Sequence, residues 1–428
     1  MSSKTKTTAT KEEAKPALVP KLRFPEFRGA GAWECGKVDD LVDTVTPPKK
    51  LPTSLYASSG EFPIIDQSQS EICGWTDDKE ALIQEGLPLI IFGDHTCILK
   101  LIGSPFAQGA DGIKILRSRA NVGTPFLFQF LSHRPVVTEE YKRHYSILKG
   151  KIVFYPEFKS GEQQKIAECL SSVDELLAAQ TRKVDALKTH KKGLMQQLFP
   201  REGETQPRLR FPEFQSAGEW NFTTVGGLIE AGCLFAPKDG NHGNIHPKSS
   251  DYVAKGIPFI MASDLNVGLI DIENCHFISK EQADTLQKGF AKEGDVLLSH
   301  KGTVGEVAVV RKINTPYLML TPQVTYYRVN DRKKLSNEFL AQLFMADAFQ
   351  ANLVEVSGGG TRAYIGITEQ VKLRVQLPNG VEEQQRIATC LSSLDALISA
   401  ETRKLEALKT HKKGLMQQLF PSPEEVEA

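Results

Sequence analysis

The sequence has no hydrophobic run long enough to cross a membrane, because nowhere do about 18 apolar residues follow one another. Its first 20 residues are polar and lack the apolar centre of a signal peptide. We therefore expect a cytoplasmic protein in which residues 1–20 form a disordered tail. The length of 428 residues suggests two or three domains, and 40% hydrophobic with 24% charged residues is an ordinary soluble composition.

An excess of basic charge is missing as well. The chain carries 52 Lys and Arg residues against 52 Asp and Glu residues, so its formal net charge is zero. A free-standing nucleic-acid-binding protein usually has a basic excess, and the balance counts against that class. It leaves room for local basic patches and for partners that supply positive charge.

Motifs for metal and nucleotide binding are also missing. The cysteines show no CxxC spacing, the histidines form no HExxH, and no GxGxxG occurs. The segment GAWECGKV has the spacing of a phosphate loop, but it ends in Val38 where such a loop needs Ser or Thr to hold magnesium. We expect all seven cysteines to be reduced, buried small residues: Cys35, Cys73, Cys97, Cys169, Cys233, Cys275 and Cys390.

No set of residues resembles a catalytic site. The pairs Asp94-His95 and Ser299-His300 lack a nucleophile or a partner at a defined spacing. We therefore predict that this chain has no catalytic residue, no metal site and no cofactor of its own. A long chain without such motifs indicates a recognition or scaffolding subunit.

What the sequence does contain is a duplicated helix. Residues 162–200 and 383–421 are identical at 30 of 39 positions. Apolar residues recur in a 4-3-4-3 rhythm that predicts a coiled-coil seam about 48 Å long. Ser160 with Gln163, and Asn379 with Glu382, resemble capping boxes at the two helix starts. The seam residues are Ile166, Leu170, Val173, Leu177, Val184, Leu187, Leu194 and Leu198, with Ile387, Leu391, Leu394, Ile398, Leu405, Leu408, Leu415 and Leu419 in the second copy.

Polar interruptions of the seam indicate how the two helices pair. A parallel pair would set Lys191 against Lys412, which costs free energy through like-charge repulsion. In an antiparallel pair Lys191 lies near Leu394 and can extend its ammonium group to water. We favour an antiparallel pair within one chain. The alternative is that each helix packs on its own domain or on another chain.

A second repeat precedes each divergent region. KLRFPEF at 21–27 returns as RLRFPEF at 208–214, and each copy is followed by a tryptophan. We expect the aromatic residues of this repeat to serve either partner docking or local packing. They are Phe24, Phe27, Trp33, Phe211, Phe214 and Trp220. The regions between the repeats read as mixed α/β, with apolar runs such as 87–92 and 296–298 as strands and helical patterns at 126–133 and 337–350.

We therefore predict an α+β, pseudo-twofold protein in which two mixed α/β domains are separated by two long antiparallel coiled-coil helices. The predicted boundaries are a tail at 1–20, a first domain at 21–158, a helix at 159–200, a linker with the second LRFPEF repeat at 201–214, a second domain at 215–380, a helix at 381–421 and a tail at 422–428.

These repeats resemble the specificity subunit of type I restriction-modification systems. The resemblance is carried by the LRFPEF repeat followed by Trp, by GIPFIMASDLNVGLID and GDVLLSHKGTVGEVAVV, and by the duplicated helix start EQQRIATCLSSLD. It implies two target-recognition domains that each read half of a split, asymmetric DNA site, with the helices as a ruler for the unread spacer. It also implies docking of two methyltransferase subunits, which methylate adenine at N6, and ATP-dependent cleavage with restriction subunits. S-adenosylmethionine, Mg²⁺ and ATP would then belong to the partner subunits.

Base reading needs polar and basic side chains on loops, with aromatic residues for stacking. Under this resemblance, the predicted DNA-binding residues are Gln67, Ser68, Gln69, His95, Gln108, Arg143, His144 and Tyr145 in the first domain, and Ser263, Asp264, Lys301, Thr303, Gln323, Thr361, Arg362 and Tyr364 in the second. Two other classes stay open at this point. One is a coiled-coil scaffold or partner-binding protein without DNA specificity, and the other is a free-standing nuclease or methyltransferase.

Overall fold

The computed structural model describes residues 18–110, 112–137, 143–266, 268–357 and 364–422. It divides the chain into two compact units, with one boundary inside each long helix. Unit 1 comprises Met1–Thr181 and Lys404–Ala428, and unit 2 comprises Arg182–Arg403. Among the described residues, no helix is both long and apolar enough to cross a membrane.

The first half of the chain contains ten short strands and four helices among its described residues. The strands are β1 (Glu34–Lys37), β2 (Val42–Val45), β3 (Phe62–Ile65), β4 (Gly74–Thr76), β5 (Leu82–Ile83), β6 (Leu89–Gly93), β7 (Leu99–Ile102), β8 (Phe106–Gln108), β9 (Ile113–Ser118) and β10 (Ile152–Tyr155). The helices are α1 (Val38–Leu41), α2 (Thr124–His133), α3 (Tyr145–Gly150) and α4 (Glu162–Leu198).

The second half contains thirteen strands and six helices among its described residues. The strands are β11 (Asn221–Thr224), β12 (Lys238–Asp239), β13 (Tyr252–Val253), β14 (Ile257–Ile260), β15 (Leu265–Asn266), β16 (Leu269–Ile270), β17 (His276–Ile278), β18 (Phe290–Ala291), β19 (Val296–Ser299), β20 (Val307–Val309), β21 (Leu318–Leu320), β22 (Val324–Tyr327) and β23 (Arg374–Leu377). The helices are α5 (Val225–Glu230), α6 (Lys280–Asp284), α7 (Asn337–Met345), α8 (Asp347–Ser357), α9 (Ile367–Gln370) and α10 (Val381–Leu419).

Two sheets form the body of each unit. Unit 1 has the strand orders β2-β9-β6-β7 and β4-β3-β8-β5, and unit 2 has β12-β22-β19-β20 and β13-β17-β14-β21-β18. One pair in each unit is parallel, β3 with β8 and β14 with β21. β6 and β19 lie inside their sheets and are buried at every position, as their apolar sequences require.

Each unit closes its core with an aromatic residue that follows a long helix. In unit 1 the ring of Phe420 lies 5.7 Å from Phe126, and Phe126 lies 5.8 Å from Trp33. In unit 2 the ring of Phe199 lies 5.6 Å from Phe339 and 6.0 Å from Trp220. The duplicated helix end therefore completes a core of the same design in each unit.

The LRFPEF repeat has a structural role that its sequence does not reveal. Arg23 donates to both carboxylate oxygens of Glu162, at 2.8 and 2.6 Å, and the pair is buried. Arg210 does the same to Glu383, at 2.7 Å for both contacts. Such bidentate pairs hold two planar groups in one orientation. The repeat thus ties the start of a long helix to the chain that precedes its domain.

The two long helices run antiparallel inside each unit. In unit 2, Lys183 pairs with Glu401, and Lys191 Nζ lies 2.6 Å from Asp395 Oδ1. In unit 1, Lys412 pairs with Asp174. Every predicted seam residue is buried or half-buried. The predicted α+β class with long antiparallel helices is confirmed.

One prediction about the seam is wrong. Lys191 does not extend its ammonium group to water, because the residue is only 7% exposed and its charge is paired with Asp395. The second oxygen of Asp395 accepts from Gln342 of α7 at 3.0 Å. Charged groups at such a position are retained when a partner and a further hydrogen bond compensate for lost hydration.

The capping boxes are also wrong. Ser160 Oγ accepts from the Glu162 N–H at 3.2 Å, but the Gln163 side chain donates to the carbonyls of Pro156 and Asn121, at 2.7 and 3.0 Å. Asn379 donates to the carbonyl of Glu219 rather than to its own helix. Tertiary partners therefore compete successfully with the local cap.

The cysteine prediction holds for only part of the set. All seven are free thiols, but only Cys233 and Cys275 are buried. Cys35 is exposed because it lies on β1, which pairs only with β10. The other four are half-buried.

Candidate nucleic-acid interface

In unit 2, several strand ends meet at one edge and carry most of the predicted polar residues. β14 and β21 are parallel, and the Thr321 N–H donates to the Ile260 carbonyl at 2.9 Å where both strands end. β19 ends against the start of β22, with Ser299 opposite Val324. The loops that begin at 261, 300 and 321 are therefore neighbours.

The predicted residues of unit 2 differ in exposure. Lys301 and Thr303 are exposed, Tyr364 is 50% exposed, and Gln323 is half-buried. Lys301 forms a backbone bridge with Tyr364, so these two residues are held together. Thr361 and Arg362 lie outside the described residues. Lysine, amide and aromatic side chains on adjacent loops suit contacts with phosphates and base edges.

Ser263 and Asp264 lie in the turn after β14. Ser263 is exposed, whereas Asp264 is half-buried and accepts from the Met261 N–H at 2.7 Å. Burial raises the pKa of Asp264 above its usual range. Asp264 therefore has a clear structural use as the cap of its own turn.

Unit 1 gathers its predicted residues around the ends of β3 and β6. The Gln67 carbonyl accepts from Thr96 Oγ1 at 2.8 Å, and its side-chain oxygen lies 3.4 Å from the His95 N–H. Gly112 packs directly against the Gln67 side chain with a φ of 102°, a position where a Cβ atom would collide with the amide. Gln69 and Arg143 are exposed, and Gln67, Ser68, His95 and Tyr145 are half-buried.

Two predicted residues of unit 1 are buried instead of being presented to solvent. Gln108 is 3% exposed at the end of β8, and His144 is 1% exposed. Nδ1 of the His144 ring lies 3.1 Å from the Asp94 carbonyl oxygen, and the backbone N–H of His144 donates to the same oxygen at 2.9 Å. In this conformation neither side chain can touch a DNA base. Gln108 is the last residue of β8 and His144 directly precedes α3, and the fold holds both inside unit 1.

Tyr145 is placed by several contacts. Its N–H donates to Asp94 Oδ1 at 2.8 Å, and its hydroxyl lies 2.9 Å from Thr44 Oγ1. The ammonium groups of Lys114 and Lys149 lie 5.4 and 5.9 Å from its ring centre. The Tyr145 ring thus lies beside two ammonium groups, of which that of Lys149 is paired with Asp39 at 2.9 Å.

The sequence reasoning missed Lys100. This residue is 8% exposed, and its ammonium group donates to the Asp66 carbonyl at 2.9 Å and the Ser70 carbonyl at 2.5 Å. It thereby holds the loop that carries Gln67, Ser68 and Gln69. Burial alone would raise the pKa of the Asp66 carboxyl, but hydrogen bonds from Cys73 and Ser68 together with the charge of Lys100 lower it. Lys100 lies on β7, where half-buried and buried residues alternate, and nothing in the sequence distinguishes it from a solvent-facing strand lysine.

The six residues predicted for docking or packing fall into two groups. Trp33 and Trp220 are 5% and 3% exposed inside their own cores, so they serve local packing and present no face to a partner. Phe24, Phe27, Phe211 and Phe214 are half-buried. The first phenylalanine of each LRFPEF copy has a cation over its ring, Lys165 at 5.8 Å from Phe24 and Arg386 at 4.5 Å from Phe211.

Among the described residues, no group of three or more His, Cys, Asp or Glu side chains is arranged to hold a metal ion.

Comparisons with known proteins point to one family. Residues 218–410 match the type I restriction modification DNA specificity domain. Two proteins of Methanocaldococcus jannaschii, the type I restriction enzyme MjaVIII specificity subunit and the putative type I restriction enzyme MjaX specificity subunit, are each 24% identical to 60% of this chain. The matched regions span only 59% and 56% of the length of these relatives.

A solved structure shares the fold. The type I restriction-modification system S subunit from M. genitalium superposes with a TM-score of 0.65 at 17% identity, covering 95% of this chain and all of that one. The match of residues 218–410 to the type I restriction modification DNA specificity domain thus confirms that the chain resembles type I specificity subunits.

Proposed function

We propose that this chain is the non-catalytic DNA-reading subunit of a type I restriction-modification complex, and that it recognises a split, asymmetric site. The observation that carries the proposal is that the two units share the same helix and LRFPEF contacts, here called the frame, but differ in the polar loops at their strand ends. Arg23–Glu162 and Arg210–Glu383 are equivalent, as are Asp174–Lys412 and Asp395–Lys191. The polar loops at the strand ends are different in the two units, so each unit reads different bases.

Selection from random DNA tests this function. With the methyltransferase subunit present, the full chain is expected to enrich two short motifs separated by a fixed unread spacer. Binding should weaken steeply with salt, because phosphate contacts release counterions. The zero net charge is compatible with this if the methyltransferase subunits share the phosphate contacts. Failure to enrich any split motif, with no salt-dependent binding, would favour the scaffold alternative.

The long helices are proposed to set the length of the spacer. α4 and α10 are unbroken over 37 and 39 residues. The predicted seam of about 48 Å corresponds to about 14 base pairs at ~3.4 Å each.

Adding one heptad to both helices, at 181/182 and 403/404, is expected to lengthen the spacer by about three base pairs, because seven residues add about 10 Å. The added heptad keeps the seam in phase, so both half-sites should be unchanged. Selection from random DNA measures this. A seven-residue replacement at the same places, without a change in length, is the control. A changed half-site with the old spacer would contradict the ruler.

Two methyltransferase subunits are proposed to dock on the repeated frame, with S-adenosylmethionine, Mg²⁺ and ATP bound by the partner subunits. Leu176 is 57% exposed and Leu397 is 41% exposed, and these two residues occupy equivalent positions in the duplicated helix. A duplicated apolar position outside the seam suits two copies of one partner.

Leu176→Asp is expected to lower the number of bound methyltransferase subunits from two to one, and Leu176→Asp with Leu397→Asp to abolish binding. A buried carboxylate without a partner is costly at an interface. Native mass spectrometry of the assembled complex measures the stoichiometry. Glu175→Asp, which keeps the charge of the adjacent residue, is the control. Retention of two subunits by the double variant would place docking elsewhere.

A further inference from the structure

A histidine with no exposed surface, His300, lies where the loops that begin at 261, 300 and 321 of unit 2 meet. His300 follows β19 directly and precedes the exposed Lys301. Its Nε2 lies 3.0 Å from the Pro322 carbonyl, and its Nδ1 lies 2.8 Å from the side-chain nitrogen of Gln370. Gln370 is equally buried. Neither residue is one of the predicted DNA-binding residues.

Hydrogen bonds fix the orientation of the Gln370 amide. The Tyr327 hydroxyl donates to the Gln370 side-chain oxygen at 2.7 Å, so the amide nitrogen of Gln370 is the donor on the other side. That nitrogen donates to the Ile365 carbonyl at 2.9 Å and lies 2.8 Å from His300 Nδ1. The two ring nitrogens of His300 also face backbone carbonyls, Nε2 that of Pro322 at 3.0 Å and Nδ1 that of Ile365 at 2.9 Å. Burial lowers the pKa of His300.

This network joins three loops that are distant in sequence. The His300 N–H donates to the Gln323 carbonyl at 2.8 Å, and its carbonyl accepts from the Ile365 N–H at 3.0 Å. The ring and its amide partner add side-chain contacts to the carbonyls of Pro322 and Ile365, so they join the segments around 300, 322 and 365. These are the loops that present Lys301, Gln323 and Tyr364.

The equivalent strand end of unit 1 uses another arrangement. There, Asp94 follows β6, and its backbone and side chain hold His144 and Tyr145. The His300 network thus belongs to unit 2 alone among these strand ends. Reading by unit 1 provides an internal control in the same molecule.

We propose that the buried network of His300, Gln370 and Tyr327 positions the loops with which unit 2 reads its half-site. The proposal rests on the proposed function. The three residues touch no base themselves, and they act through the exposed side chains that they hold in place. Buried polar networks of this kind specify one arrangement when all members are paired, and they lose it when one partner is removed.

Two substitutions in the full chain test the role. Tyr327→Phe removes one hydroxyl and leaves the Gln370 oxygen unpaired, and His300→Gln removes the ring that links Gln370 to Pro322. Each is expected to reduce discrimination at the second half-site about tenfold, since an unpaired buried polar group has a cost of that order. Tyr326→Phe is the matched control, because adjacent residues on β22 point to opposite faces.

The measurement is selection from random DNA with the methyltransferase subunit present, beside thermal unfolding of each variant. Unchanged preferences at the first half-site, with weakened or altered preferences at the second, support the proposal. Preferences unchanged at both half-sites, an equal loss at both, or an unfolded Tyr327→Phe protein would overturn it, because the network would then serve only the fold. If the unmodified chain enriches no split motif, the proposed function itself fails.

Discussion

Replacing residues 215–380 with the corresponding region of a relative that reads other bases is expected to change one half of the recognised site and leave the other half and the spacer intact. The replaced region carries every predicted reading residue of unit 2. It leaves Arg210 and Glu383 in place, and these two residues form the buried pair that ties the domain to α10. The frame therefore survives the replacement.

The effect is expected to be large. Each mismatched base pair typically costs about 1–3 kcal/mol, so a half-site with three changed positions should bind its old sequence at least about a hundredfold more weakly. Selection from random DNA, or a methylome of cells that carry the hybrid, measures the change. The reciprocal replacement of residues 28–158 is the matched control and should change the other half. A hybrid that alters both halves would show that the units do not read independently.

The second prediction concerns the buried lysine of the seam. Lys191→Met is expected to lower the free energy of unfolding by about 3 kcal/mol, because Asp395 is left without its cation. The cost stays at the lower end of the range for buried pairs, since the Asp395 side chain is 24% exposed. Urea unfolding of the full chain, followed by helix circular dichroism, measures the shift in midpoint.

Two variants make this result interpretable. Lys183→Met breaks the pair with Glu401, but the Lys183 side chain is 53% exposed, so the loss should stay below about 1 kcal/mol. Adding Asp395→Asn to Lys191→Met should restore most of the stability, since the amide oxygen still accepts from Gln342 while the unpaired charge is gone. Equal losses for the two lysine variants would mean that burial of Lys191 has no energetic consequence.

The duplicated helix illustrates how far sequence periodicity reaches. The 4-3-4-3 rhythm identifies the buried side of each helix, because a straight helix returns the same face every seven residues and burial follows that face. Electrostatics then favoured the antiparallel direction, since like charges would otherwise meet. The actual partner of Lys191 was missed, because heptad position alone does not say which residue of the other helix lies opposite.

Sequence pattern did not predict which residues of the candidate site are buried. A helical pattern over 337–350 is interrupted in the structure at Ala346, between α7 and α8, where the chain turns. Gln108 and His144 look like loop residues in the sequence but are buried, and Lys100 looks like a solvated strand residue but holds a loop from inside. Each of these outcomes depends on residues far away in the chain.

Local pattern and internal repetition in the sequence were sufficient to determine the α+β class, the two long helices, their direction and the duplicated frame, because these features depend on periodic burial and on charge. Only the tertiary structure decided which polar residues are presented and which are buried, and it revealed the Arg–Glu pairs, the Lys–Asp pairs and the His300 network. The physical reason is that a buried hydrogen bond or ion pair needs a partner brought within about 3 Å by the fold. That partner has no fixed spacing in the sequence.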